Sequence, residues 1–409
     1  MKARWLILAD DLTGASDCAI AFAKRGRASV VGWGEAAAPD DADVFAYDAD
    51  SRGLPEVAAA ERHRAALARL LRDGWRLFKK IDSTLRGHIA RETVEALAAT
   101  GKALGILAPA FPATRRTTRD GRILVKGEPL ESTELWRRDH SYPTADLAEM
   151  LATAGIAGEK LPLAVIRSEG GLRRAFAELA ARSGRIAICD AETDEDLARI
   201  AAASLTLGEG VFHIGSAGLA HALAAATPVP DPDPLRFAAT GKGTLIVVGS
   251  LAEASRDAAR QLARSPGLRY LPVEPEALLT GTAEAAFLDG VVAGLDAGAD
   301  VLVEIRTGAA PDLSIGPRLV EALAALLRPA ASHIGALAAT GGETAAALLS
   351  RFGVTGLRLV EEIEPGVALG LSLGALAIPV ATKAGAFGDD GSLARIAARL
   401  HRIQQEEAL

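Results

Sequence analysis

Charged and hydroxyl side chains cluster where two short apolar runs of the chain end. Asp10 and Asp11 follow the run WLILA (5–9), and the segment KKIDSTLRG (79–87) follows a second apolar run. In an open parallel sheet, ligands bind beyond the carboxyl ends of the strands, so we expect both groups near a site. Two adjacent carboxylates there can bind sugar hydroxyls, hold a cation or accept a proton. Capping of a helix by Asp11 would explain only one of the two.

The second group has the composition of a site for a small hydroxylated acid. Arg86 carries a guanidinium, which holds a carboxylate through two parallel hydrogen bonds. Asp82 and the neighbouring hydroxyls suit a polyol. A solvated basic strand end with a Ser/Thr cap is the alternative. The basic stretch 115–126 could close over an anion, although we expect most of its side chains to be solvated.

Glycine-rich turns recur in the second half of the chain. TGGET (340–344) lies between a predicted strand and a predicted helix, and GSL (249–251) and TKAGAFG (382–388) follow predicted strands. Glycine lets the backbone approach a phosphate, and a helix N-terminus offers free N–H groups. The turn does not match the P-loop consensus. A nucleotide site and a plain tight turn both remain open for TGGET alone.

The elements that must position these groups alternate between strand and helix. This rhythm predicts an α/β protein whose mostly parallel sheets are flanked by helices. Four prolines at 227–236 predict a linker, so we expect two domains, 1–230 and 237–409, with an active-site cleft between them. The segment LPLAVI (161–166) is predicted as a strand, and 113–135 as a basic loop or small β-hairpin.

Composition narrows the class of protein. The chain has 409 residues and a net charge of −7, which gives no reason to expect nucleic acid as a partner. Two cysteines cannot form a disulfide framework, and we expect a soluble, cytoplasmic protein. The uncharged stretch Pro365 to Thr382 contains several glycines and is interpreted as buried core, not as a membrane span. The motifs HExxH, CxxC and GxSxG do not occur, so zinc hydrolase, thiol redox and serine hydrolase functions lose support.

Together these segments resemble a known family. ADDLTGASD, KKIDSTLRGHI, APAFP, GSAGLA, VVGS, TGGETA and TKAGAFG look like the four-carbon acid sugar kinase family, formerly a domain of unknown function, in order over about residues 5 to 390. One segment departs from the pattern: the chain reads ATRRTTRDGRI where the family more often has a glycine before the first arginine, as GRT.

The resemblance implies ATP-dependent phosphorylation of the 4-hydroxyl of erythronate, threonate or a 3-oxo-tetronate. It also implies an N-terminal domain that binds the sugar acid and a C-terminal domain that binds ATP. The family's substrate motif falls on Asp10, Asp11, Lys80, Asp82, Ser83 and Arg86. Its ATP motifs fall on Ser250, Gly341, Gly342, Glu343, Thr344 and Gly385.

From the chemistry of phosphoryl transfer we expect Lys80 and Arg86 to hold the carboxylate and Asp10 and Asp82 to orient the hydroxyls. Asp11 is the candidate base. Mg²⁺ would bridge the ATP phosphates and keep several waters. No metal ligand is identified.

Two alternatives remain open: a non-catalytic sugar-acid and nucleotide sensor, and a nucleotide-independent aldolase, isomerase or dehydratase. The expected partners are the sugar acid and ATP, without nucleic acid or membrane. Whether the chain forms a homo-oligomer stays open.

Overall fold

The chain folds as two compact units, Met1–Pro232 and Asp233–Leu409. The computed structural model describes residues 3–138, 140–182, 184–227, 237, 240–249, 253–282, 285–306, 315–383, 385 and 387–406. Residues 228–236, most of the predicted linker, lie outside the described residues.

The first unit is built on a parallel sheet. Its strands are β1 (Arg4–Ala9), β2 (Ser29–Trp33), β3 (Val44–Asp48), β4 (Trp75–Lys80), β5 (Leu104–Ala108), β6 (Arg116–Arg119), β7 (Arg122–Val125), β8 (Glu128–Pro129), β9 (Gly158–Leu161), β10 (Arg185–Cys189) and β11 (Val211–Gly215). The sheet has the order β2-β3-β1-β4-β11-β5-β10-β9, and each neighbouring pair is parallel. The carboxyl ends of β1, β3 and β4 therefore meet at one edge.

Helices cover this sheet. They are α1 (Leu12–Ala23), α2 (Glu56–Leu70), α3 (Ile89–Thr100), α4 (Glu134–Arg138), α5 (Leu147–Ala152), α6 (Leu163–Ile166), α7 (Gly171–Ala180), α8 (Asp194–Leu205) and α9 (Ala217–Ala226). The apolar face of α1 is buried, and Phe22 packs against Trp5 of β1 with 5.5 Å between the ring centroids. The thiols of Cys18 and Cys189 are free and buried.

The basic segment forms a small antiparallel sheet in which β7 pairs with β6 and β8. Asp120 and Gly121 both take positive φ values in the turn between β6 and β7, as a tight hairpin requires. The expected hairpin is confirmed. The strand expected at 161–166 is wrong, because β9 ends at Leu161 and Pro162 is the N-cap of the short helix α6. Proline is tolerated at a helix start, where its missing N–H has no intrahelical partner.

The second unit carries a mixed sheet. Its strands are β12 (Thr244–Val248), β13 (Arg269–Val273), β14 (Val301–Ile305), β15 (Ala336–Thr340), β16 (Val354–Glu364), β17 (Val367–Gly374) and β18 (Pro379–Lys383). The first five strands in the order β13-β14-β12-β15-β18-β17-β16 are parallel, and β17 runs antiparallel to β18 and β16. Its helices are α10 (Glu253–Leu262), α11 (Pro275–Thr280), α12 (Ala285–Asp296), α13 (Gly316–Leu327), α14 (Gly342–Arg351) and α15 (Ser392–Glu406).

The predicted fold class is confirmed, because both units combine mostly parallel sheets with flanking helices. The uncharged stretch 365–382 supplies β17 and most of β18, whose residues Val367, Leu369 and Ala381 pack into the core of the second unit. Across the described ranges, no helix combines the length and the apolar character needed to span a membrane.

Candidate functional site

Asp10 and Asp11 follow β1 directly. Asp10 is 3% exposed. Asp11 caps α1: its Oδ1 accepts a hydrogen bond of 3.1 Å from the Gly14 N–H, and its Oδ2 accepts one of 2.7 Å from the Thr13 hydroxyl. The cap accounts for the position of Asp11, but the buried Asp10 needs another binding partner.

That partner is Arg52, a residue that no sequence motif marks. Its guanidinium donates two hydrogen bonds to Asp10 and two to Asp11, all between 2.8 and 2.9 Å. Burial alone would raise the pKa of Asp11, but the charges of Arg52 and Lys80 outweigh this effect and hold the pKa below its ordinary value. Both cations therefore favour the ionised form of Asp11.

Lys80 ends β4, and its ammonium lies 4.0 Å from Asp11 Oδ1. The approach depends on Gly14, since a Cβ at this position would lie 2.4 Å from both Lys80 Nζ and Asp11 Oδ1. Burial would lower the pKa of Lys80, but Asp11 and Asp10 more than compensate and raise it. The lysine therefore stays charged.

The loop after β4 places Asp82, Ser83 and Arg86. Arg86 Nε and Nη2 donate hydrogen bonds of 2.9 and 3.1 Å to the two carboxylate oxygens of Asp82. Although burial opposes it, Arg86 holds the pKa of Asp82 well below its ordinary value. A Cβ at Gly87 would meet Asp10 Oδ2 at 2.8 Å, so this loop packs directly against the end of β1.

Arg116, at the start of β6, also reaches this loop. Its Nη1 donates a hydrogen bond of 2.5 Å to the Ser83 hydroxyl. The preceding Arg115 has φ +57°, in the left-handed region that glycine adopts most easily. The residue at position 115 must therefore adopt a backbone conformation that glycine takes at lower cost.

A buried polar network lies behind the charged residues. Glu92 of α3 binds the Lys79 ammonium at 2.7 Å, His63 of α2 at 3.2 Å and the Ser51 hydroxyl at 3.0 Å. Burial would raise the pKa of Glu92, but Lys79 and His63 outweigh it and lower the pKa. Because Ser51 precedes Arg52, this network fixes the loop that carries the arginine.

Asp48 is the last residue of β3 and pairs in register with Ala9 of β1. It is buried, and its Oδ1 accepts a hydrogen bond of 2.7 Å from the Asp50 N–H. Burial, together with the charges of Asp11, Asp50 and Asp10, raises its pKa to about 8. Asp48 therefore holds a proton near neutral pH, whereas the neighbouring Asp11 is ionised.

In the second unit, β12, β15 and β18 are neighbours and end at the same edge. Gly341 follows β15 with φ +91°, and its N–H donates to the Lys383 carbonyl at 2.8 Å. Gly249 follows β12, and a Cβ there would meet Thr344 Oγ1 at 2.4 Å. The three predicted glycine turns thus begin at adjacent strand ends.

Helix α14 starts at Gly342, so its first N–H groups face the edge where these strands end. Thr344 is buried and Glu343 is exposed. The Gly385 carbonyl accepts a hydrogen bond of 3.1 Å from Ser255 of α10. Ser250, also predicted to bind ATP, lies outside the described residues.

Comparison with known proteins matches a separate family model to each unit of the chain. A family model described as a sugar-binding N-terminal domain matches residues 5–223, and one described as a nucleotide-binding C-terminal domain matches residues 245–393. A D-threonate kinase of Cupriavidus necator is 44% identical over 405 residues, covering 95% of this chain and 96% of the relative. The chain belongs to the four-carbon acid sugar kinase family.

A second relative and a solved structure extend the match. A D-threonate kinase of Bordetella bronchiseptica is 33% identical over 411 residues, covering 96% of both chains. The crystal structure of a protein from Salmonella typhimurium, 21% identical, superposes with a TM-score of 0.81 over 96% of this chain and 98% of that one. The structural match supports the fold.

The site geometry suits a four-carbon acid sugar kinase in its first unit. Carboxylates can accept hydrogen bonds from sugar hydroxyls, and guanidinium groups can bind a carboxylate. Within the ranges that the structure describes, no group of three or more His, Cys, Asp or Glu side chains is placed to hold a metal ion. Mg²⁺ at phosphate sites usually keeps several waters and takes only one or two protein carboxylates.

Proposed function

We propose that the protein is an ATP-dependent kinase that phosphorylates the 4-hydroxyl of a four-carbon sugar acid, with D-threonate as the preferred substrate. The carboxylate pair Asp10–Asp11, with Arg52 and Lys80 against it, is the observation on which the proposal rests. The two relatives described above, both named D-threonate kinases, support the choice of acid.

The sugar acid is assigned to the carboxyl ends of β1 and β4. Asp10, Asp82 and Ser83 offer oxygens to its hydroxyls, while Lys80 and Arg86 supply positive charge beside them. The charges within this group are already paired, so little reorganisation is needed when the substrate binds.

ATP is assigned to the second unit. Gly341, Gly342 and Thr344 lie at the start of α14, where backbone N–H groups bind phosphate oxygens. Glu343, Ser250 and Gly385 complete the proposed nucleotide set. Mg²⁺ would neutralise phosphate charge, and we assign it no protein ligand.

In the reaction, the 4-hydroxyl oxygen forms a bond to the γ-phosphorus, and the bond from that phosphorus to the β–γ bridging oxygen breaks. ADP leaves with the electron pair of the broken bond. Asp11 takes the hydroxyl proton, and the charges of Arg52 and Lys80 keep it ionised before the reaction. Positioning supplies most of the catalysis, as in other phosphoryl transfers. The predicted cleft, in which acid and nucleotide would meet, stays a prediction.

The test is to incubate the protein with ATP and Mg²⁺ and one acid at a time: D- and L-threonate, D- and L-erythronate and the 3-oxo acid. We expect ADP to form fastest with D-threonate, and ³¹P NMR to place the phosphate on the terminal oxygen. 4-Deoxy-threonate, which lacks the accepting hydroxyl, is the matched control and should give no ADP above the acid-free rate. Turnover of an acid without nucleotide, or no ADP with any acid, would refute the proposal.

A further inference from the structure

The cations around the predicted sugar-acid site differ in their partners. Arg52 binds two aspartates, Lys80 lies beside Asp11, and both oxygens of Asp82 occupy the fork of Arg86. Arg116 differs from these three, because no carboxylate in the described part of the chain forms an ion pair with it. Its side-chain hydrogen bond goes to the neutral hydroxyl of Ser83.

Arg116 carries this charge in a partly buried position. Burial lowers the pKa of its guanidinium; Asp82 and Asp17 oppose the shift and Arg86 adds to it. A cation that has lost water without forming an ion pair is unfavourable in the free protein. Such a group is stabilised when an anion binds to it.

The backbone of Arg116 is held firmly. Its carbonyl accepts a hydrogen bond of 2.8 Å from the Phe111 N–H, and its own N–H donates to the Phe111 carbonyl at 3.2 Å. β6 then pairs with β7. The guanidinium is thus presented from a fixed strand end, which reduces the entropy lost on binding.

We infer that Arg116 binds the carboxylate of the sugar acid, with the Ser83 hydroxyl beside it. Arg86 binds Asp82 and not the substrate carboxylate, because its two parallel donors already donate to Asp82. This inference rests on the proposed function and changes the group assigned to the carboxylate. It also gives one residue of the basic hairpin a role in binding the substrate.

The test compares D-threonate with D-threonamide, which replaces the charged carboxylate by a neutral amide. Calorimetry without nucleotide gives the ratio of the two dissociation constants for the wild type and for Arg116→Ala, Arg116→Lys and Arg86→Ala. Arg119→Ala is the control, because Arg119 lies on the same hairpin and pairs with Glu192 at the surface.

We expect the wild type and Arg119→Ala to prefer threonate by about 10- to 100-fold, the usual range for a hydrogen-bonded charge. Arg116→Ala should reduce this preference to about 3-fold or less, and Arg116→Lys should retain part of it, since it keeps the charge but not the fork. Arg86→Ala should weaken both ligands and keep the ratio. Without ligand, Arg116→Ala should melt no lower than the wild type, because an unpaired charge has been removed.

A wild-type ratio in Arg116→Ala, or loss of the ratio in Arg86→Ala, would overturn the inference. If the wild type phosphorylates a tetronate while Arg116→Ala keeps full preference for the carboxylate, only the inference fails. If the wild type neither binds nor phosphorylates any tetronate, the proposed function fails and the inference with it.

Discussion

The two predicted sites lie at the same kind of place, the carboxyl ends of parallel strands, yet they are built from different groups. In the first unit, the charged edge consists of side chains: Asp10, Asp11, Arg52, Lys80, Asp82 and Arg86. In the second unit, the glycine edge consists of Gly249, Gly341, Gly342 and Thr344, and its proposed binding groups belong mostly to the backbone.

The difference follows from what each edge is proposed to bind. A sugar acid has hydroxyls and one carboxylate in a specific arrangement, which separate side chains can match. Phosphates need many donors at short range, which a helix N-terminus and glycine turns supply without side chains. Removal of a side chain should therefore impair the charged edge. Addition of a Cβ should impair binding at the glycine edge.

The largest effect is expected for Asp11→Asn. The amide keeps the size of the side chain and an oxygen for the cap of α1, but it cannot take the proton of the substrate. We expect kcat to fall by about 10²- to 10⁴-fold, with a small change in the KM for the acid. Steady-state kinetics measure both constants.

The matched control is Asp146→Asn. Asp146 caps α5 in the same unit and also binds a lysine, Lys160, at 2.7 Å. It should change activity by less than about 3-fold. Equal losses in both variants would mean that Asp11 acts only as a cap.

Removal of Arg52 should have the next largest effect. Arg52→Ala leaves Asp10 and Asp11 side by side without their shared cation, and breaking such a buried pair typically costs about 3–5 kcal/mol. Since Arg52 remains 22% exposed, we expect the lower end of this range. kcat/KM should fall by about 100-fold through misplaced carboxylates.

Arg62→Ala is the control for Arg52→Ala. Arg62 pairs with Asp50 in the same region, but both side chains are exposed. Its removal should change the free energy of unfolding by about 0.5 kcal/mol or less. Thermal unfolding and kinetics of both variants would show whether burial of the pair matters.

At both edges, residues that lie close together in the sequence could be predicted. The segment KKIDSTLRG contains both members of the Asp82–Arg86 pair, so residues four apart could be identified together. TGGET likewise contains its strand end and its helix start. Such local groups need no knowledge of the sheet order.

Arg52 and Asp48 could not be identified in this way. Arg52 meets Asp10 across 42 positions, and the contact arises because β3 lies beside β1. Nothing in DADSRG distinguishes this arginine from a solvated one. The raised pKa of Asp48 depends on burial and on three other carboxylates, which only the folded chain brings together.

The glycine edge gives the third prediction. Gly341→Ala adds a Cβ at a φ of +91°, which L-residues rarely adopt, and it should displace the start of α14. We expect the KM for ATP to rise by about 10-fold or more, since one backbone donor is worth about 1–2 kcal/mol. Binding of D-threonate without nucleotide should not change.

Gly281→Ala controls for strain alone. Gly281 has φ +68° at the end of α11, and a Cβ there would meet nothing within 4 Å. Both variants should lose stability, but only Gly341→Ala should lose affinity for ATP. A similar loss of affinity for ATP in both variants would mean that the glycine edge does not bind the nucleotide.

The smallest effect concerns the proton that Asp48 holds beside the charged edge. Because the pKa of Asp48 rises from 3.8 to about 8 on folding, the folded chain holds this proton more tightly than the unfolded chain. Stability is therefore greatest below the pKa of Asp48 in the unfolded chain and is lost as the pH rises toward 8.

Asp48→Asn cannot ionise and keeps an oxygen that accepts a hydrogen bond from the Asp50 N–H. Its melting temperature should exceed that of the wild type by about 2–5 °C at pH 8.5 and by less at pH 5. A difference that does not vary with pH would mean that Asp48 is already ionised in the folded protein, and that the charged edge tolerates another ionised carboxylate beside it.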